Sequence, residues 1–181
     1  ILNISKEWGA DMIVTRPEDM ASDHSAKFPA IKHCVNTIEK QVHYEFDTIV
    51  DLDATSPLRS IDDIHNSLKM IENSDNSNNL VTGSPCRRSP YFNLVELNKN
   101  GFVSVSKDLN DPIIRRQDSP ECFDLNASIY IWKRKAFYNN ETVISSDTSL
   151  FVMPEERSID IDSELDFEIV TLLMKNKELI E

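Results

Sequence analysis

Glycine is scarce in this chain: Gly9, Gly83 and Gly101 are its only three, and no two stand together. A glycine-rich loop whose backbone amides cradle a phosphate therefore has no place between Ile1 and Glu181. Cysteine is equally sparse. Cys34, Cys86 and Cys122 are odd in number, widely spaced and without CxxC or companion-histidine spacing, so neither a disulfide framework nor a zinc site is favoured and a reducing cytoplasm fits best. Basic clusters are short. Arg87-Arg88, Arg115-Arg116 and Lys133-Arg134-Lys135 stand against a formal net charge of -12, which argues against nucleic acid, because counterion release needs clustered cations. An acidic protein still binds a nucleotide through a few arginines and a metal. No apolar run approaches the roughly 20 residues of a membrane span, and 181 residues suit one domain with a sizeable core. The chain reads as soluble. It starts at Ile1 with no methionine and no signal-type charged segment, which reads as a fragment or a processed chain.

What is present is organised around Thr48 to Arg59. Thr48, Ile49, Val50 and Leu52 make a run short enough for a buried parallel strand, and Pro57 stops both strand and helix beyond it. The strand ends near Asp53. Ser60 with Asp63 is a capping-box pattern, and Ile61, Ile64, Leu68 and Ile71 follow at helical spacing. In open α/β sheets ligands bind beyond the carboxyl ends of strands, where Asp53, Thr55, Ser56 and Arg59 fall. That polar rim suits a phosphate-bearing or sugar ligand.

Ile1 to Trp8 reads as a helix stopped at Gly9, and Met12-Ile13-Val14 as a short strand left at Arg16-Pro17. Phe28, Ile31, Val35 and Ile38 predict a helix to about Gln41, with His33 as a surface or boundary histidine and Cys34 as a small core residue. Leu80 to Pro85 reads as a strand. Tyr91 to Leu97 and Phe102 to Ser106 flank Asn98-Lys99-Asn100-Gly101, a hairpin signal because Asn-Gly tolerates positive φ. Such an arm serves oligomerisation or is a plain surface hairpin; both readings stand. Ile114 to Pro120, before a strand at Asn126 to Ile131, carries adjacent arginines that either clamp a carboxylate or phosphate or simply line a solvated loop. Lys133 to Asn140 reads as a short helix, and Ser149 to Met153 as a strand broken by Pro154.

Asp160 and Asp162 are two apart, so in an extended strand leading into the next helix their carboxylates share a side while Ile159 and Ile161 face the core. A magnesium site is built this way, although Asp-x-Asp also arises by chance in an acidic chain. Ser163 with Asp166 is a second capping box, and Leu165, Ile169, Leu172 and Leu173 continue as an amphipathic helix.

Four ordered segments together resemble the acylneuraminate cytidylyltransferases, also called CMP-sialic acid synthetases. They are Arg16-Pro17 with Met20-Ala21-Ser22-Asp23, Asp51 to Arg59, Arg116 to Pro120 leading to Asn126-Ala127-Ser128-Ile129-Tyr130, and Ser158 to Asp166. The resemblance implies an α/β fold, a Rossmann-like αβα nucleotidyltransferase sheet with an inserted β-hairpin dimerisation arm at 86–126 of a single domain over 1–181. It implies transfer of CMP from CTP to the anomeric hydroxyl of a nonulosonic acid with release of pyrophosphate, with Mg2+ as cofactor, in a cytoplasmic homodimer. By position it casts Asp160, Asp162 and Arg116 as catalytic, with Asp160 and Asp162 as the metal carboxylates. Arg16, Ser56 and Arg59 fall to the nucleotide, and Asp53, Arg116, Gln117 and Asn126 to the sugar. Arg116 is expected to reach the neighbouring subunit's site.

Two departures stand out. The family's opening strand and glycine-rich loop are missing, and with a first βαβ unit of about 30 residues they are expected upstream of Ile1. Asp53-Ala54 replaces the usual Gln-Pro, which looks more like relatives that activate legionaminic-type acids. A non-catalytic interaction module on the same fold is the competing expectation, and a Kdo-activating enzyme a third.

Overall fold

The capping boxes are formed as the sequence predicts. The Ser60 amide donates to Asp63 Oδ2 at 2.8 Å while the Asp63 amide donates to Ser60 Oγ at 3.1 Å, and Ser163 and Asp166 make the same reciprocal pair. Each satisfies amides that the first helical turn leaves without partners. A computed structural model describes residues 1–22, 25–109 and 115–176; Asp23, Ile114 and the side chain of Arg116 lie outside the described residues. In chain order the elements are α1 (Leu2–Glu7), α2 (Lys27–Val42), β1 (Thr48–Leu52), α3 (Ile61–Glu72), β2 (Asn79–Pro85), β3 (Val95–Leu97), β4 (Val103–Val105), β5 (Phe123–Lys133), α4 (Arg134–Asn139), β6 (Thr148–Val152) and α5 (Glu164–Lys175). Four strands form a sheet in the order β1-β5-β2-β6, and β3 and β4 pair separately. The fold is α/β.

β3 and β4 are antiparallel with Val95 opposite Val105 and Leu97 opposite Val103. Gly101 takes φ +82° in the connecting turn, the left-handed conformation that glycine adopts without steric cost. Gly83 in β2 is required for a different reason. A Cβ there would stand 2.7 Å from the backbone carbonyl oxygen of Asp124.

The chain divides into two compact units. The first comprises Ile1–Asp51, Ser67–Val81 and Ile129–Ser149. Its core is aromatic: Phe28 packs on Trp132 and Phe137 with ring centroids 5.3 and 5.5 Å apart, and Ile49 completes the cluster. The second comprises Leu52–Asn66, Thr82–Ser128 and Leu150–Glu181. Its interior mixes Leu58, Met153 and Val170 with buried Ser56, Asp63, Asn126 and Ser128, and buried polar groups persist only with hydrogen-bond partners or a ligand.

Several expectations are corrected. β1 is not wholly buried: Val50 is 38% and Leu52 40% exposed, and, two apart, they lie on one face of the strand, which the described residues leave partly uncovered. Met12-Ile13-Val14 forms no strand, since no described strand pairs with it. Cys34 is exposed, lying at the edge of the stripe that Phe28, Ile31 and Val35 form on α2. Ser158 to Asp162 is irregular rather than a strand. On α5 the buried position is Val170, whereas Leu165 and Leu172 are exposed. No helix among the described residues is long and apolar enough to cross a membrane.

Candidate active site

Beyond β1 the chain turns sharply. Asp53 Oδ1 accepts from the Thr55 amide at 3.2 Å and the Thr55 hydroxyl at 3.0 Å, the way an Asx turn replaces a backbone ladder. Arg59 closes the turn from the other side. Its Nη1 donates to the carbonyls of Asp53 at 2.7 Å, Ser56 at 2.6 Å and Ser128 at 3.2 Å. Ser56 itself is fully buried, and its hydroxyl has no hydrogen-bond partner among the described residues.

The same turn meets the acidic segment. The carbonyl of Thr55 accepts from the amide of Ile161 at 2.9 Å, and Ile161 lies between Asp160 and Asp162. Asp160 is half-buried with a buried Oδ1 that has no partner among the described residues, whereas Asp162 is exposed. A buried carboxylate oxygen with no donor is costly unless a cation stands against it, so the chemistry of Asp160 fits a cation. Among the described residues no cluster of three or more His, Cys, Asp or Glu could hold a metal. Asp160, with Asp162 two residues on, would be the residues to hold such an ion, and one or two protein carboxylates are what Mg2+ takes.

A part-buried ion pair supports this segment, and sequence spacing does not reveal it. Arg157 donates through Nε to Asp63 Oδ2 at 2.8 Å and through Nη2 to Asp63 Oδ1 at 3.0 Å. Burial pushes the Asp63 carboxyl up, but the bonds from Arg157 and Ser60 outweigh it and hold the group below the usual carboxylate range. No motif links positions 94 residues apart; only folding brings them together.

Asn126 and Ser128 flank Ala127, which has φ +50°. Asn126 Oδ1 accepts from the Thr82 hydroxyl at 2.7 Å and the Ser128 amide at 3.2 Å, and its Nδ2 donates to Ser158 Oγ at 3.0 Å. A sugar contact by this buried amide would displace one of these bonds. Gln117 is exposed and lines a cavity of about 350 Å3 with Cys86, Ser89 and Cys122. Arg116 begins the short 3-10 turn that ends at Asp118.

Arg16 belongs to the first unit. It lines a cavity of about 340 Å3 with Lys27, His33, Cys34 and Asp51. Lys27 Nζ stands 2.8 Å from Asp51 Oδ2 and 4.8 Å from the centroid of the Tyr130 ring. The sequence reading missed Lys27, because only its place just before the Phe28 periodicity marked it. Half-buried His33 holds the boundary position expected of it.

No family model matches the chain. It is 43% identical over 179 residues to a CMP-N,N'-diacetyllegionaminic acid synthase of Campylobacter jejuni, covering 99% of this chain and 74% of that one. A post-translational flagellin modification protein B of Campylobacter coli is 42% identical over the same shares. A solved CMP:2-keto-3-deoxy-manno-octonic acid synthetase complexed with CTP matches with a TM-score of 0.60 over 95% of this chain and 75% of that one, at 16% identity. The α/β sheet is thus that of the nucleotidyltransferases. The chain belongs to the acylneuraminate cytidylyltransferase, or CMP-sialic acid synthetase, family, on its legionaminic side.

Proposed function

We propose that this chain is a cytidylyltransferase that moves CMP from CTP to the anomeric hydroxyl of a legionaminic-type nonulosonic acid. The observation that carries the reading is the 43% identity, over 99% of the chain, to a relative named for that chemistry. Asp53 at the rim of the turn is consistent with the same branch. The hydroxyl attacks the α-phosphorus in line, an O–P bond forms, and the bond to pyrophosphate breaks while a nearby carboxylate or a bound hydroxide takes the proton. Catalysis of such a step is mainly positioning and neutralisation of charge.

Asp160 and Asp162 would hold Mg2+, which when bound offsets the charge of the triphosphate. Ser56 and Arg59 wall the turn beside them, Asp53, Gln117 and Asn126 belong to the sugar side, and Arg116 pairs with the sugar carboxylate. Arg16 turns the cavity of the first unit towards a nucleotide. Homodimerisation through the 86–126 arm is part of the proposal, supported by Leu97, Phe102 and Val103 at 73, 70 and 63% exposure. So is a cytoplasmic setting, supported by three cysteines that form no disulfide.

The test is pyrophosphate release from CTP and Mg2+ with a panel of sialic, legionaminic and pseudaminic acids, for this chain and for an upstream-extended form carrying the family's glycine-rich loop. Turnover fastest with the legionaminic acid supports the reading. Absence of turnover in both forms, with the fold intact, rejects it.

A further inference from the structure

We propose that Arg59 is a positioning residue that sets the metal carboxylates against the sugar-side turn, rather than a residue whose task is to grip the nucleotide. The inference rests on the metal reading of Asp160 and Asp162 given above.

Three carbonyl oxygens converge on one nitrogen of Arg59, from Asp53, Ser56 and Ser128. Their dipoles present negative ends to one point, and without a cation between them they would repel one another. A guanidinium is the suited group, because it is permanently charged and offers several donors in a fixed plane. The convergence is built at a cost. Ala127 holds a left-handed φ of +50°, a conformation that an L residue with a Cβ adopts only when its surroundings impose it. The bond from the Ser128 amide to Asn126 Oδ1 spans that residue and helps fix the carbonyl of Ser128 in place.

Arg59 thereby joins β5 to the turn after β1. The turn passes the constraint on, since Thr55 accepts from the Ile161 amide at 2.9 Å. Ile161 separates the two aspartates, so any shift of the turn moves the backbone between them. The link is from Arg59 to the turn, from the turn to Ile161, and from Ile161 to the spacing of Asp160 and Asp162.

The experiment compares the chain with Arg59→Gln, Arg59→Lys and Asp162→Asn. Two quantities are read: hydrogen exchange of the Ile161 amide, and binding of Mn2+ alone. Glutamine removes the charge, and the Ile161 amide is expected to exchange at least about tenfold faster while the Trp132 amide in the first unit is unchanged. The Mn2+ dissociation constant should rise about tenfold, as when other groups that orient metal ligands are removed. Lysine restores the charge without the planar fork and should recover most of the Mn2+ affinity. Should Arg59→Gln fail to fold, Arg59→Lys carries the test, with an expected shift of about threefold in both quantities. Mn2+ affinity and Ile161 exchange unaltered in the folded Arg59 variants, while Asp162→Asn loses Mn2+, overturns the positioning role and leaves the metal reading standing. Unaltered Mn2+ binding in Asp162→Asn overturns the metal reading and this inference with it.

Discussion

Asp63 is the residue on which the second unit most depends for its polar interior. It is 3% exposed, accepts from the Ser60 amide and hydroxyl, and holds the guanidinium of Arg157. Removing one partner of a buried pair leaves the other charge uncompensated, so Asp63→Ala should cost about 3 kcal/mol in urea unfolding at pH 7. The pH dependence has a definite sign. The folded-state pKa of Asp63 is depressed, so its contribution is present above the unfolded value of about 4 and is lost as pH falls through the lower folded value. The wild-type chain should therefore lose more stability than Asp63→Ala between pH 5 and the acid limit. Equal slopes would show that the pair carries no linkage. Gly83 is the second sensitive position. With Asp124 O only 2.7 Å from where a Cβ would stand, Gly83→Ala forces backbone to move and should cost about 1 to 3 kcal/mol by the same unfolding measurement.

Among the elements, the helices were the most legible part of the sequence. The spacing of Phe28, Ile31, Val35 and Ile38 specified α2, and Ser60 with Asp63 and Ser163 with Asp166 marked the starts of α3 and α5, because periodicity and capping act within a few residues. Ser163→Ala should lower stability by about 1 kcal/mol through loss of the cap, measured as a shift of the urea midpoint with an unchanged slope. Strands were less legible. β5 runs through Asn126 and Ala127, where a positive φ interrupts the alternation, and Met12 to Val14 has strand-forming residues but pairs with no described strand. A strand requires a neighbour to bond with, and one segment's composition does not supply it. The outward turn of Leu165 and Leu172 on α5 was hidden for a related reason: periodicity shows that a helix has an apolar row, not whether anything covers it.

For the molecule as a whole, assembly is the property most open to measurement. Leu97, Phe102 and Val103 expose more apolar surface than a short hairpin needs for itself. Sedimentation should find a dimer, and Leu97→Glu combined with Phe102→Glu should yield a folded monomer; a monomeric wild-type chain would leave the hairpin as a plain surface feature. The sequence by itself determined the α/β class, the helices with their caps, the hairpin and the ordered motifs, because each depends on residues close together in the chain. It also brought Asp53, Ser56, Arg59, Asp160 and Asp162 forward as candidates by residue type and order. Only the tertiary structure decided how these candidates are connected. The meeting of Arg59 with the carbonyl of Ser128, of Ile161 with Thr55 and of Arg157 with Asp63 spans long stretches of chain. Such contacts depend on where the backbone turns and which atoms are shielded from water, and no local pattern of residues encodes either.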